Sequence, residues 1–261
     1  MAYETILFER RDQIAYITLN RPDRANTISA QLMHDMLGAV DNVEADKETR
    51  VIIVTGAGER HFCGGADLRD PAILGGKRDA FPDRDFMTAL ENCRVPVIGA
   101  INGAAMGGGC EIALACDIRV IAESASIGLP EIKFGALPAG GGTQRLPRLV
   151  GSAVAKELIF GGLAITPAEA LRVGLVNRVV PYANLMTACE EIANIYKQRA
   201  AYALKAAKRL INEGIELPLE EALKFEHKAI AAMATAEERR QAREEAAASQ
   251  KTYARIFSDK K

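Results

Sequence analysis

The strongest constraint on the fold is a pattern that returns along the first part of the chain: a short apolar run, a glycine-rich stretch, then a helix. Val51-Ile52-Ile53-Val54 is bounded by Gly56 and Gly58. Such a run suits a strand buried on both faces. A polar, Gly-rich stretch follows from 56 to 80, a helix is expected around 82–92, and Val95 to Ile101 reads as a strand. The next helix opens at Gly107-Gly108-Gly109, and Ile118 to Ala122 forms another strand. This alternation argues for an α/β fold with parallel pairing, which gathers loops, and with them function, at one edge.

Before this pattern, residues 3–8 and 13–19 read as a hairpin closing at the Asn20-Arg21-Pro22-Asp23 turn. Ser29 is placed to cap a helix carrying Leu32, Met36, Val40 and Val43 at helical spacing. From about residue 183 the strands stop. Leu204, Ala207 and Ile211, then Leu219, Leu223, Ile230 and Met233, recur at helical intervals. The tail is expected to be amphipathic helices, with the charge run from Glu237 to Ala248 as a solvated helix face.

Composition narrows the function classes. The 261 residues carry 33 basic and 34 acidic side chains, a formal charge of -1, so no global positive field is available to hold a nucleic acid. The basic helical segment Lys205 to Arg209 has no interleaved aromatics and reads as a solvated face. The N-terminal residues resemble neither a signal nor a transit peptide, and the apolar region from Val95 to Cys116 is interrupted by Asn102 and Glu111. A soluble, cytoplasmic protein with no membrane partner is expected. Five cysteines without a CxxC pair, and three scattered histidines without HExxH spacing, suggest reduced thiols and no metal.

Three segments combine glycine with acid: Phe62-Cys63-Gly64-Gly65-Ala66-Asp67-Leu68, then Asn102 to Glu111, then Gly128-Leu129-Pro130-Glu131 running into Pro138 to Arg145. Each places glycine where a helix would begin. Helix starts have unpaired NH groups and a positive dipole end, and glycine lets an oxygen approach them. Two facing starts would make an oxyanion hole. The same glycines could serve tight packing or cradle phosphate, but no GxxxxGK[ST], no dinucleotide fingerprint and no GxSxG elbow is present. Glu111 lies in an otherwise apolar helix, where an unpaired carboxylate is costly to bury, and Glu131 follows Pro130 at a short helix start. A bland role remains open for each: an acid favouring the helix dipole.

The ordered segments ITLNRPDRANTIS, FCGGADL, INGAAMGGGCEIALACD, GLPEIKFGALPAGGGTQRLPRLVG and ITPAEALRVGLVNRVV closely resemble the enoyl-CoA hydratase, or crotonase, family across nearly the whole chain. The resemblance implies an α/β spiral of ββα units over residues 1–195, followed by a C-terminal helical trimerisation region over 196–261, in a homotrimer or homohexamer. It places the thioester oxyanion hole on the backbone NH groups of Ala66 and Gly108, and the two hydratase glutamates at Glu111 and Glu131. The CoA-binding surface falls on Arg24, Ala25 and Asn26 with Ala66, Asp67, Leu68 and Arg69, alongside Gly108. The substrate is an acyl-CoA and no separate cofactor is expected, because coenzyme A arrives as part of it.

By this resemblance the reaction is hydration of an enoyl-CoA to a 3-hydroxyacyl-CoA. Glu111 takes the proton of water and Glu131 delivers one to the α-carbon, which requires a raised carboxyl pKa. The rivals are an enoyl-CoA isomerase, which needs only one acid/base, another crotonase-type lyase or hydrolase, an RNA-binding member, and a silent scaffold. Retention of both glutamates favours hydration. Leu129 stands where many short-chain hydratases have glutamine, and the loop from Asp70 to Arg84 and the ending from Ser249 to Phe257 depart from the family pattern. Acyl preference and tail contacts with CoA are therefore left open.

Overall fold

A computed structural model describes residues 3–75, 80–233, 235 and 240. The chain opens with β1 (Ile6–Arg11) and β2 (Ile14–Leu19), paired antiparallel. Asp12 and Gln13 turn between them at φ 50° and 63°. The hairpin lies three residues later on its first strand than the apolar residues suggest. Glu9, Arg10 and Arg11 are polar, but β1 is an edge strand with only Ile6 buried, so the ladder tolerates them.

Helix α1 (Ala30–Ala45) starts where expected, with the Ser29 hydroxyl accepting the Leu32 amide at 3.1 Å. It buries Leu32, Met36, Ala39, Val40 and Val43. The main sheet then continues with β3 (Val51–Gly56), β5 (Val97–Ile101) and β7 (Ile118–Ala122), all parallel to β2, and ends on β10 (Arg178–Val180). Val51 to Val54 are wholly buried. That matches the apolar run.

A second sheet interleaves with the first. It consists of β4 (His61–Cys63), β6 (Ala104–Met106), β8 (Ile127–Gly128) and β9 (Ala164–Ile165). These strands are too short to announce themselves by periodicity, and they lie inside segments that read only as Gly-rich loops. The chain goes from β3 to β4, from β5 to β6 and from β7 to β8, and each time a helix follows. After β4 comes the short α2 (Pro71–Gly75) and then α3 (Phe86–Asn92), capped by Asp85. After β6 comes α4 (Gly108–Ala115). After β8 come α5 (Gly142–Val150) and α6 (Ser152–Gly161). The architecture is a spiral of ββα turns.

After β9, α7 (Pro167–Arg172) leads to β10, and α8 (Leu185–Lys197), α9 (Ala201–Gly214) and α10 (Leu219–Ala232) follow. The chain divides into two compact units, residues 1–193 and 194–261. Within the second, α9 and α10 pack together and leave Ile211, Leu219, Leu223 and Ile230 exposed. The charge run from 237 to 248 and the ending from 249 to 257 lie outside the described residues, apart from Arg240. Among the described residues, no helix is long and apolar enough to cross a membrane.

The two sheets bring β4 against the start of α4, and here packing alone dictates glycine. A Cβ on Gly109 would sit 2.1 Å from the Cys63 carbonyl oxygen, inside the contact distance of any two atoms. Gly109→Ala is therefore expected to cost about 3 kcal/mol or more by overpacking. Urea unfolding measures it, and a cost within about 0.5 kcal/mol would mean the contact is slack.

Candidate active site

Two backbone segments meet at the mouth of α4. On one side, residues 25–28 run beside residues 64–67. Gly64 donates to the Ala25 carbonyl, Ile28 donates to the Gly65 carbonyl, and Asp67 donates to the Ile28 carbonyl, each at 2.8 Å. Ile28 thereby uses residues 65 and 67 and bridges Ala66 in parallel. In such a pairing the intervening residue turns its own NH and C=O the other way. The Ala66 amide thus faces away from Ile28, and it finds no acceptor among the described residues.

On the other side stands the first residue of α4. Gly107 caps the helix at φ 55° with no side-chain cap, and the Gly108 amide likewise has no acceptor among the described residues. The two segments touch. Gly65, at φ 95°, lies so close that an added Cβ would be 2.9 Å from the Met106 carbonyl oxygen and 3.4 Å from the Gly108 nitrogen. A Cβ on Gly108 would be 3.8 Å from the Ala66 nitrogen. The two unpaired amides are thus set side by side at a helix start, where partial positive charge accumulates.

Glu111 rises from the first turn of α4, 3% exposed. Its Oε1 accepts the amides of Gly140 and Gly142, both at 2.7 Å. Met87, Leu129 and Pro138 pack around that turn: Cβ atoms at Gly140 and Gly142 would meet them within 3.0 Å. Burial in this apolar setting pushes the Glu111 carboxyl above its ordinary value. The two amides and the Arg145 charge work the other way, without reversing it.

Glu131 opens the 3-10 turn of residues 131–134 and reaches back to α4. A Cβ on Gly107 would lie 3.0 Å from its Oε1. Its Oε2 is buried without a hydrogen-bonding partner among the described residues. A buried orphan oxygen of this kind calls for a proton, a water or a ligand. Burial raises this carboxyl too, and the neighbouring Glu111 charge adds to the shift. The structure therefore gathers Ala66, Gly108, Glu111 and Glu131 at one place. Among the described residues, no three His, Cys, Asp or Glu side chains are grouped as metal ligands.

The expected CoA-binding residues divide. Arg24, Leu68 and Arg69 are exposed on the rim beside Ala66, and Ala25 is half-buried at φ 52°. Asn26 and Asp67 turn their side chains inward. Asn26 is fully buried; its side chain accepts from the Arg21 amide and donates to the carbonyls of Ala57 and His61. No surface remains to it for a ligand. The Asp67 side chain is taken by Arg21, at 2.7 Å, and by the Arg69 amide. Both residues frame the rim from within. The sequence reading also missed the Gly140 and Gly142 amides as donors and the Arg21–Asp67 latch. The glycines were visible as a cluster, but pairing across 29 to 46 residues is not legible from local spacing.

Short strands alternating between two sheets, with paired amides that find no acceptor among the described residues and one buried and one half-buried acid at a helix mouth, define the crotonase class of acyl-CoA enzymes. The chain belongs to the enoyl-CoA hydratase/isomerase family, whose model matches residues 9–252. It is similar to the short-chain-enoyl-CoA hydratase of Clostridium acetobutylicum, 39% identical over 93% of this chain and 94% of that protein. It is also similar to the crotonyl-CoA hydratase of Syntrophomonas wolfei, 36% identical over 87% and 88%. Among solved structures, the enoyl-CoA hydratase of Bacillus anthracis matches with a TM-score of 0.85 and 37% identity, over 95% of this chain and 98% of that one.

The Arg21–Asp67 latch ties the loop carrying Ala66 to the preceding turn. Burial works to raise the Asp67 carboxyl, but the Arg21 hydrogen bond, the Arg69 amide and nearby positive charge hold it below its ordinary 3.8. A carboxyl with a lowered folded-state value stabilises the fold fully above the unfolded value, and that stabilisation is lost as pH falls through the folded one. Asp67→Ala is expected to cost about 3 kcal/mol at pH 7, as for a buried pair losing one partner. In urea unfolding, the gap to wild type should narrow below pH 3.8. A gap that stays constant with pH would show the latch to be idle.

Proposed function

We propose that this protein is an enoyl-CoA hydratase, adding water across the 2,3 double bond of an enoyl-CoA to give a 3-hydroxyacyl-CoA. The observation that carries the reading is the pair of amides without an acceptor among the described residues, Ala66 and Gly108, at the same helix mouth as the buried Glu111 and the half-buried Glu131, whose Oε2 is shielded from water. Such amides suit the oxygen of a thioester. When the oxygen of water bonds to C3, the π electrons of the conjugated system shift onto the thioester oxygen, and two fixed NH donors stabilise that oxygen where it carries most charge. Losing one donor of this type typically costs about 2.7 to 4 kcal/mol of transition-state stabilisation.

In this reading the Glu111 carboxylate takes the proton from water through Oε2, since Oε1 already accepts two amides. Glu131 donates its proton to C2, collapsing the enolate. Proton exchange between the two acids or with solvent then restores the starting state. One acid must be ionised and the other protonated, and two raised, mutually sensitive carboxyls suit that division. The coenzyme A portion would cross the rim at Arg24, Ala25, Leu68 and Arg69. No further cofactor enters the chemistry. A homotrimer or homohexamer is proposed through the exposed apolar residues of α9 and α10. Five free, buried thiols accord with a cytoplasmic location.

The test is loss of the conjugated absorbance of crotonyl-CoA and longer enoyl-CoA esters. Glu111→Gln and Glu131→Gln are each expected to lower kcat by about 10²- to 10⁴-fold, with KM changed little. The kcat–pH profile of the wild type should be a bell whose acid limb lies above 4.5, because both folded-state carboxyls are raised from that value. Wild-type turnover in either variant would remove its residue from the mechanism. Absence of hydration with every ester would remove the activity.

A further inference from the structure

Glu111 is held by a turn that is itself held. Its Oε1 is committed to the Gly140 and Gly142 amides, while Oε2 accepts no hydrogen bond among the described residues. Which oxygen is committed depends on the path of residues 140–142. Gly141 adopts φ 99°, and Arg145 reaches back from the first turn of α5 to donate Nη1 to the Gly140 carbonyl at 2.8 Å. A Cβ on Gly141 would lie 2.1 Å from that Nη1, so the guanidinium lies directly against the turn.

The other edge of the guanidinium is taken by Glu91 on α3. Nη2 donates to one carboxylate oxygen at 2.7 Å and Nε to the other at 3.1 Å. A two-pronged fork of this kind fixes the guanidinium plane as well as its position. Both partners are largely shielded, with side-chain exposures of 15% and 33%. The chain of contacts runs from Glu91 to Arg145, to the Gly140 carbonyl, through the turn, and into Glu111. Nothing in the proposed chemistry needs Arg145 to touch a substrate.

We propose that Arg145, locked by Glu91, is a positioning residue: it sets the Gly140–Gly142 turn and thereby holds Glu111 with Oε1 toward the protein and Oε2 toward the attacking water. This rests on the hydratase reading of Glu111. The charged groups facing Glu111 are Asp85 at the start of α3, Arg145 on α5 and Glu131 on the 3-10 turn. Asp85 acts to raise the Glu111 carboxyl and Arg145 to lower it. Loss of Arg145 therefore moves the carboxyl further up, leaving less of it ionised at a given pH. The acid limb of kcat must move to higher pH with it.

The test compares Arg145→Gln and Arg145→Lys with wild type in crotonyl-CoA hydration across pH. In parallel, the Glu111 carboxyl is titrated by infrared difference spectroscopy, with Glu111→Gln as the reference that isolates its band. Arg145→Gln is expected to lower kcat on the order of 10- to 100-fold, the scale of a misplaced catalytic group, with KM within about threefold. The acid limb and the infrared titration should both move to higher pH. Arg145→Lys keeps the charge and should restore the titration and part of kcat. A folded Arg145→Gln with limb and titration unmoved overturns the proposal, whatever its melting temperature. If Arg145→Gln does not fold, Glu91→Gln replaces it; a lowered kcat supports the proposal and an unchanged one overturns it. If the wild type hydrates no enoyl-CoA, the hydratase reading fails by itself. The infrared titration still decides whether Arg145 controls Glu111.

Discussion

Close approach of two backbones governs this molecule. The loop after β4 and the start of α4 lie nearer than any side chain would permit, with Gly65 against Met106 and Gly108, and Gly109 against the Cys63 carbonyl. The interleaved sheets impose that approach, because β4 and β6 are parallel neighbours and each feeds its loop to the same edge. Two amides are left without partners among the described residues as a consequence. Elsewhere such groups would be a cost; at the mouth of a helix they are a site for negative charge on oxygen.

The carboxyls complete the site by opposing effects of similar kind. Removal from water raises both, while two amides and a guanidinium restrain Glu111; Glu131 is restrained by its own backbone amide, and its Oε2 has no donor among the described residues. The asymmetry is what a proton acceptor and a proton donor need, since equal environments would leave both acids in the same state. Distance along the chain is no obstacle. Glu111 and Glu131 lie 20 residues apart and are brought together because β7 and β8 form one turn of the spiral between them.

Much of this was legible in the residues. Val51 to Val54, Ile118 to Ala122 and the Ser29 cap have local signatures, and the structure places them where those signatures fall. Glu111 and Glu131 were conspicuous because an acid inside an apolar run has to be explained. The second sheet was not legible: strands of two or three residues carry no measurable alternation, and their glycines mimic loops. The inward turn of Asn26 and Asp67 was not legible for a different reason. Their types and their place on the rim suit ligand contact equally well, and only the partners found at Ala57, His61 and Arg21 show that their polar groups face inward.

The ladder beside Ala66 makes one donor depend on counting instead of on chemistry. Ile28 engages the residues before and after Ala66, so the outward direction of that amide is a matter of parity. Exchange of the methyl for another small side chain leaves the parity intact. Insertion of a single residue between Gly65 and Ala66 reverses it and turns the donor toward the protein interior. Evolution can vary the identity of residue 66 within the limits of space, but not the length of the loop that presents it.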